Sequence, residues 1–251
     1  MTLLAHEIRF DLLAVWRNPR ARVMTMLFPL LLLVILVGIS KGGTTTVGGQ
    51  GVSLRRFFVG GIMAMSLLTA CYAALVGTVV SRRETGVYKR RRATPVPAWV
   101  VVAGQALTTT FVGLATAAVL LIAARVLYGI GMPARSIAIA GVAAVAGALA
   151  LSAVAFAVST VVPNVDAAQP AVQLTMLPLY FVSGIWFSTD DLPEGLRKVA
   201  ELLPVEPLAH ALHVAFLSGT LDGGDVATLA VWAVLGTLVA ARRFTWLPRP
   251  A

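Results

Sequence analysis

The sequence predicts an all-α integral membrane protein, and three observations carry that reading. Apolar residues make up 58% of the 251-residue chain and charged residues only 12%. The mean hydropathy is +0.87. A soluble domain draws about a quarter of its residues from the charged set, so this chain lacks the means to cover a soluble surface. The apolar residues also gather into six runs free of Asp, Glu, Lys and Arg, at 23–39, 57–80, 99–124, 137–162, 167–187 and 226–241. A helix needs about 20 such residues to cross a hydrocarbon core about 30 Å thick. The runs far exceed the alternating segments of about ten residues in a membrane barrel. Six transmembrane helices follow.

Ahead of the first run, Leu4, Ile8, Leu12, Val15 and Trp16 recur at helical spacing, with His6, Glu7, Arg9 and Arg17 off that stripe. This pattern suits a helix lying in the cytoplasmic interface, within a unit covering residues 1–22. Asn18-Pro19 breaks it before the first span. That span is longer than the apolar core of a secretory signal, and no clear small-x-small cleavage site follows it, so it is read as uncleaved. The first and last runs are short, but Lys41, Arg242 and Arg243 can snorkel at their ends. With the N-terminus inside, thirteen Lys and Arg fall on the cytoplasmic side and seven outside. The outer segment 188–225 carries seven acids and two bases. Both termini are therefore read as cytoplasmic, with 23–241 as the six-helix domain and 242–251 as a tail. Arg55 and Arg56, placed outside, run against the scheme.

The net charge of +9 does not indicate nucleic acid, because the bases lie in short clusters between apolar runs. Cys71, the single cysteine, can form no intrachain disulfide. No GxxxxGK[ST] loop occurs around Lys41, Lys89 or Lys198, so the chain holds no recognisable phosphate cradle and no ATP site of its own. No acid or His lies within a span to relay protons. Asp166, in the turn before span five, reads as a solvated turn residue. No Ser has a His within any span to activate it, which disfavours a membrane hydrolase. Glu206, His210 and His213 share a helical face, but the sequence shows no supporting partners for zinc, so no metal site is expected.

Two segments resemble a known family. The first reads Ser81-Arg82-Arg83-Glu84-Thr85-Gly86-Val87-Tyr88-Lys89-Arg90-Arg91-Arg92-Ala93-Thr94-Pro95. It resembles the cytoplasmic loop of type-2 ATP-binding-cassette permeases: basic–Glu–Thr–Gly, a short helix, then Ala-Thr-Pro. The second comprises Ser183-Gly184-Ile185-Trp186-Phe187, Leu192-Pro193-Glu194-Gly195-Leu196 and Leu203-Pro204-Val205-Glu206-Pro207. It is similar to that family's external segment, with a short amphipathic helix before the last span. The best match is the drug- and antibiotic-export branch, including daunorubicin-resistance permeases. Arg91, where such permeases often carry an apolar residue, and His213, where Arg is frequent, depart from the pattern.

The resemblance implies a permease subunit in a bacterial inner membrane, paired with a second permease copy, identical or related. Separate ATPase subunits would bind ATP and Mg, and this chain would hold no cofactor. Small amphipathic drugs, antibiotics or lipids are the cargo it suggests. A polysaccharide or glycolipid exporter of the same architecture, and a non-transporting antibiotic-binding anchor, are the alternatives. Arg82, Arg83, Glu84, Thr85, Gly86 and Arg90 are the residues it offers for coupling to the ATPase. Topology explains part of that loop's charge, but not Glu84-Thr85-Gly86; Glu84 is expected to pair with a base on the ATPase or on the N-terminal helix. The cargo route is expected along spans two and five. Gln169, Gln173, Met176, Tyr180 and Ser183 form one helical face of span five, and span two offers Ser66 and Thr69 on one face with Met65 and Tyr72 beside it. Ordinary helix packing would bury the same stripe.

Overall fold

A computed structural model describes residues 3–19, 23–40, 42–92, 96–217 and 219–243, apart from the side chains of Met24, Arg92 and Ala98. Arg20, Arg22, Lys41, the Ala93-Thr94-Pro95 end of the cytoplasmic motif and Arg249 lie outside the described residues. Helix α1 (Leu3–Arg17) is followed by a π-helical turn (Val23–Leu27) that runs into α2 (Phe28–Ile39). A β-hairpin, β1 (Thr44–Val47) and β2 (Gln50–Ser53), leads to α3 (Leu54–Glu84), which contains a π-helical turn at Thr69–Ala73. Then come α4 (Val87–Arg92), α5 (Ala98–Tyr128), α6 (Ala134–Ser159) and α7 (Val165–Val182). A 3₁₀ turn at Thr189–Asp191 precedes α8 (Glu194–Leu202), α9 (Val205–Leu217) and α10 (Gly223–Arg243).

The helices α3, α5, α6 and α10 are each long and apolar enough to cross a membrane. They overlap the expected spans at 57–80, 99–124, 137–162 and 226–241. The runs 23–39 and 167–187 fall on α2 and α7, which do not reach that length and hydropathy together. α7 has 18 residues and contains Pro170 and Pro178. It stops at Val182 although the apolar run continues to Phe187, because Gly184 takes a left-handed turn at φ 73°.

Two features depart from the expectation of an all-α chain with one short external helix. The first is the hairpin, whose Gly48-Gly49 turn has φ 56° and 73°. Positive φ at both turn residues is what a tight hairpin needs, and glycine supplies it without a Cβ clash. The second is α9. Its 13 residues would span only about 20 Å, too short to cross, yet it is buried on α3 and α6.

The core is apolar, as in a soluble bundle, but the exterior is apolar too. In α3, 83% of the most apolar window is buried, against 17% in α10, so α3 is the central helix. Outer faces carry Phe28, Leu31 and Ile35 on α2, Phe111 and Ile122 on α5, Leu174 and Phe181 on α7, and Val234 on α10, all exposed. So broad an apolar exterior on a multi-helix chain fits contact with lipid.

Candidate functional site

The basic loop sits at the C-terminal end of α3, and three of its bases, Arg82, Arg83 and Arg91, are committed to this chain. Arg82 pairs with Asp11 of α1 at 2.7 Å, and Arg91 pairs with Glu7 one turn earlier on the same helix. Arg83 is only 2% exposed. Its guanidinium donates to the carbonyls of Ser159 (3.0 Å), Val162 and Pro163 (3.1 Å), satisfying acceptors at the end of α6. The Tyr88 phenol is pushed up to about 12, chiefly by burial, so it stays protonated and donates to Gln105 Oε1 at 2.7 Å.

Glu84 has a different partner from the base expected for it. Its Oε2 accepts the Val165 amide at 2.7 Å, at the first turn of α7, where an acid is favoured. It thus ties the loop to α7. Asn164 caps the same helix by accepting from the Ala167 amide at 2.9 Å, and Asp166 is exposed there. Thr85 Oγ1 donates to the Ser81 carbonyl at 2.8 Å, and Gly86 turns the chain at φ 70°. Glu84, Thr85, Lys89 and Arg90 are the exposed members of this end. Arg55 also finds a reason to sit where it does: its Nε donates to the Ser40 carbonyl at the end of α2, at 2.7 Å.

On α1, Leu4, Ile8, Leu12 and Val15 turn inward together with Glu7 and Asp11, while Trp16 is exposed. Asp11 was not singled out in the sequence. Its signal was the i, i+4 spacing of Glu7 and Asp11, complementary to a loop of bases.

At mid-height, α3 and α7 meet through hydroxyls. Tyr72 and Thr175 are 2.6 Å apart, and Thr69 and Tyr180 are 3.5 Å apart. Thr69 and Tyr72 belong to the π-helical turn, a distortion often found at functional sites. Ser66 is buried and donates to the Met63 carbonyl at 2.8 Å. The expected stripe on α7 is not one uniform face. Met176 and Ser183 are buried and Tyr180 is half-buried, whereas Gln169 and Gln173 are exposed. The stripe straddles the border between the side that packs on α3, centred on Val172 and Leu179, and an open side carrying Leu174, Leu177 and Phe181. Thr175, the partner of Tyr72, lies just off the stripe and was missed for that reason.

The expected Glu206–His210–His213 face divides as well. His213 stacks on Phe57, with ring centroids 4.4 Å apart, and its Nε2 lies 3.0 Å from the Phe57 carbonyl. That oxygen can only accept, so Nε2 carries the proton. Burial pushes His213 down to about 4. His210 instead meets Asp225 of α10 at 2.8 Å, and that hydrogen bond raises its pKa. Burial pushes the Glu206 carboxyl up to about 7, against the pull of His210.

Over residues 3–217 the chain matches the family model of the ABC-2 type transporter. It belongs to the ABC-2 type transporter family. Among curated proteins, none matches the chain. Membership makes it a multi-pass membrane permease component of an ATP-binding-cassette transporter, a transport component rather than an enzyme in itself. The normal partner of such an ABC-2 permease is an ATP-binding-cassette ATPase. The matched region covers the α3–α4 loop and the α3–α7 contact, and it ends at α9.

Proposed function

We propose that this ABC-2 permease is one membrane half of an exporter in a bacterial inner membrane. It would work as two permease copies over two ATPase subunits that bind ATP and Mg. Six helices cross the bilayer in this reading, α2 and α7 included, and both termini are cytoplasmic. Cargo is small and amphipathic: a drug, an antibiotic or a lipid. The exposed Glu84–Arg90 end meets the ATPase, and its ties to α1 through Arg82 and Arg91, to α6 through Arg83 and to α7 through Glu84 carry the movement into the membrane.

The observation that carries the route is the α3–α7 seam, where a π-helical turn places Thr69 and Tyr72 against Tyr180 and Thr175. Beside it, Gln169 and Gln173 stand exposed on an otherwise apolar helix. Amide groups facing hydrocarbon would lack partners, so they favour a second protein surface or a watered path. Met176 and Tyr180 add adaptable and amphipathic surface for varied apolar cargo.

Single cysteines at 169, 173, 176 and 180 in a Cys71→Ser background test the route. Labelling that changes at 176 and 180 with ATP and with cargo supports it. Labelling unchanged in every nucleotide state leaves only a packing seam.

A further inference from the structure

Helix α1, the π-helical turn at Val23–Leu27 and the middle of α5 border an open groove of about 580 Å³. Its walls are apolar: Ile8, Leu13 and Trp16 from α1, Met26 from the turn, and Phe111 and Ala115 from α5. Arg9 is the one charged residue that lines it. Leu13, Trp16 and Phe111 are exposed although they wall this space, so among the described residues no side chain closes it.

The charges of α1 divide into two sets. Glu7 and Asp11 are taken by Arg91 and Arg82. Arg9 and Arg17 are exposed and, among the described residues, have no hydrogen bond and no ion pair. A lone exposed arginine is ordinarily a solvated one. Arg9 differs from Arg17 in that it belongs to the wall of an apolar groove, where a long side chain lays its stem on apolar surface and keeps its head at the polar boundary. Phe111 and Ala115 stand about 20–25 Å along α5 from Ala98. An open groove at that depth on a membrane-crossing helix meets hydrocarbon rather than water. A cation beside such a groove is complementary to a molecule with a negative head and a hydrocarbon tail.

We propose that this groove binds an anionic glycerophospholipid from the leaflet at the basic-loop end. One acyl chain lies between α1 and α5, and the Arg9 guanidinium holds the phosphate through its planar fork of donors. The lipid covers the apolar wall that α1 and α5 leave open. It also neutralises a charge for which α1 has no acid to spare, since Glu7 and Asp11 are engaged by the loop. The site lies on other elements than the α3–α7 seam and does not depend on the cargo route. A lipid seated here is a resident of the permease rather than its cargo.

The test uses the full-length chain in nanodiscs of phosphatidylcholine doped with phosphatidylglycerol that carries a diazirine in one acyl chain. After irradiation, cross-links are mapped by peptide mass spectrometry. Labelling should concentrate on Met26 and on residues 111–115, and unlabelled phosphatidylglycerol should displace it where added phosphatidylcholine does not. Val234, exposed on the outer face of α10, reports bulk lipid. Arg9→Gln should lower groove labelling about fivefold or more, and Arg9→Lys should keep most of it. Arg17→Gln removes the same charge from the same helix outside the groove and should leave the labelling unchanged. Ala115→Trp fills the groove without touching α1, and should abolish labelling there while that at Val234 persists. Equal displacement by phosphatidylcholine, labelling no denser in the groove than at Val234, or equal loss in Arg17→Gln and Arg9→Gln leaves bulk lipid only and overturns the proposal. Displacement by daunorubicin and not by phosphatidylglycerol makes the groove a cargo site and overturns it as well.

Discussion

Arg83 holds a full charge at 2% exposure, and three backbone carbonyls at the end of α6 account for it. Within this chain it closes a helix end. Arg83→Ala leaves those acceptors unpaired and should cost about 2–4 kcal/mol. Thermal unfolding in detergent measures it; Arg83→Lys, which loses the planar fork, should recover only part. Glu84→Ala should cost about 1 kcal/mol through the lost bond to the Val165 amide, and Glu84→Gln, which keeps an acceptor, much less. His213 gives a pH signature. Its folded-state pKa is lowered by burial to about 4, from an ordinary value near 6.5. Between these values the unfolded chain binds a proton that the folded chain refuses. Stability from this group is therefore complete above about pH 6.5 and lost as the pH falls toward 4. His213→Gln keeps an N–H for the Phe57 carbonyl and should flatten that slope, measured as Tm against pH relative to the wild type. The sequence marked Arg82–Arg92 by charge alone. Which bases turn inward was not legible, because their partners Glu7, Asp11 and Ser159 lie some 70 to 85 residues away in the chain.

Between elements, the closest approach is α6 against α10. A Cβ added to Gly236 would sit 2.6 Å from the Ala153 carbonyl carbon, so the two backbones pass without room for a methyl group. Gly236→Ala should force α10 outward and lower the Tm by several degrees. Gly141→Ala is the control. Nothing lies within 4 Å of its added Cβ, and helix propensity alone should stabilise α6 by up to about 1 kcal/mol. A lower Tm in both variants would mean that close approach is not what Gly236 provides. At this scale the long helices α3, α5, α6 and α10 were legible because an uninterrupted apolar run needs no tertiary information. The hairpin was overlooked although Thr44-Thr45-Thr46-Val47 followed by Gly-Gly is a recognisable strand and turn. α9 was not separable from the outer segment, since 13 residues that mix an apolar majority with Glu206, His210 and His213 read equally as a core helix and as a surface one. The polar stripe on α7 was visible, but the boundary it straddles depends on where α3 packs.

For the whole molecule, the sequence offered two kinds of information about function. Composition pointed to a membrane chain, and no recognisable phosphate loop occurs in the sequence. The loop motif and the outer segment supplied the family, and the family supplies the ATPase. Cargo was not legible, because the α3–α7 seam specifies polarity and adaptable surface rather than a shape. The central claim is that this permease moves amphipathic cargo with energy from a separate ATPase, received through the Glu84–Arg90 end. The measurement that tests it most directly is transport of daunorubicin, followed by its fluorescence, into inside-out vesicles holding the chain with the ATPase that co-purifies with it. The account predicts no ATP hydrolysis by the chain alone, ATP-dependent accumulation with the ATPase present, and loss of accumulation in Arg90→Glu at normal expression and Tm. ATP hydrolysis by the chain alone, accumulation without the ATPase, or an unchanged rate in Arg90→Glu would contradict it.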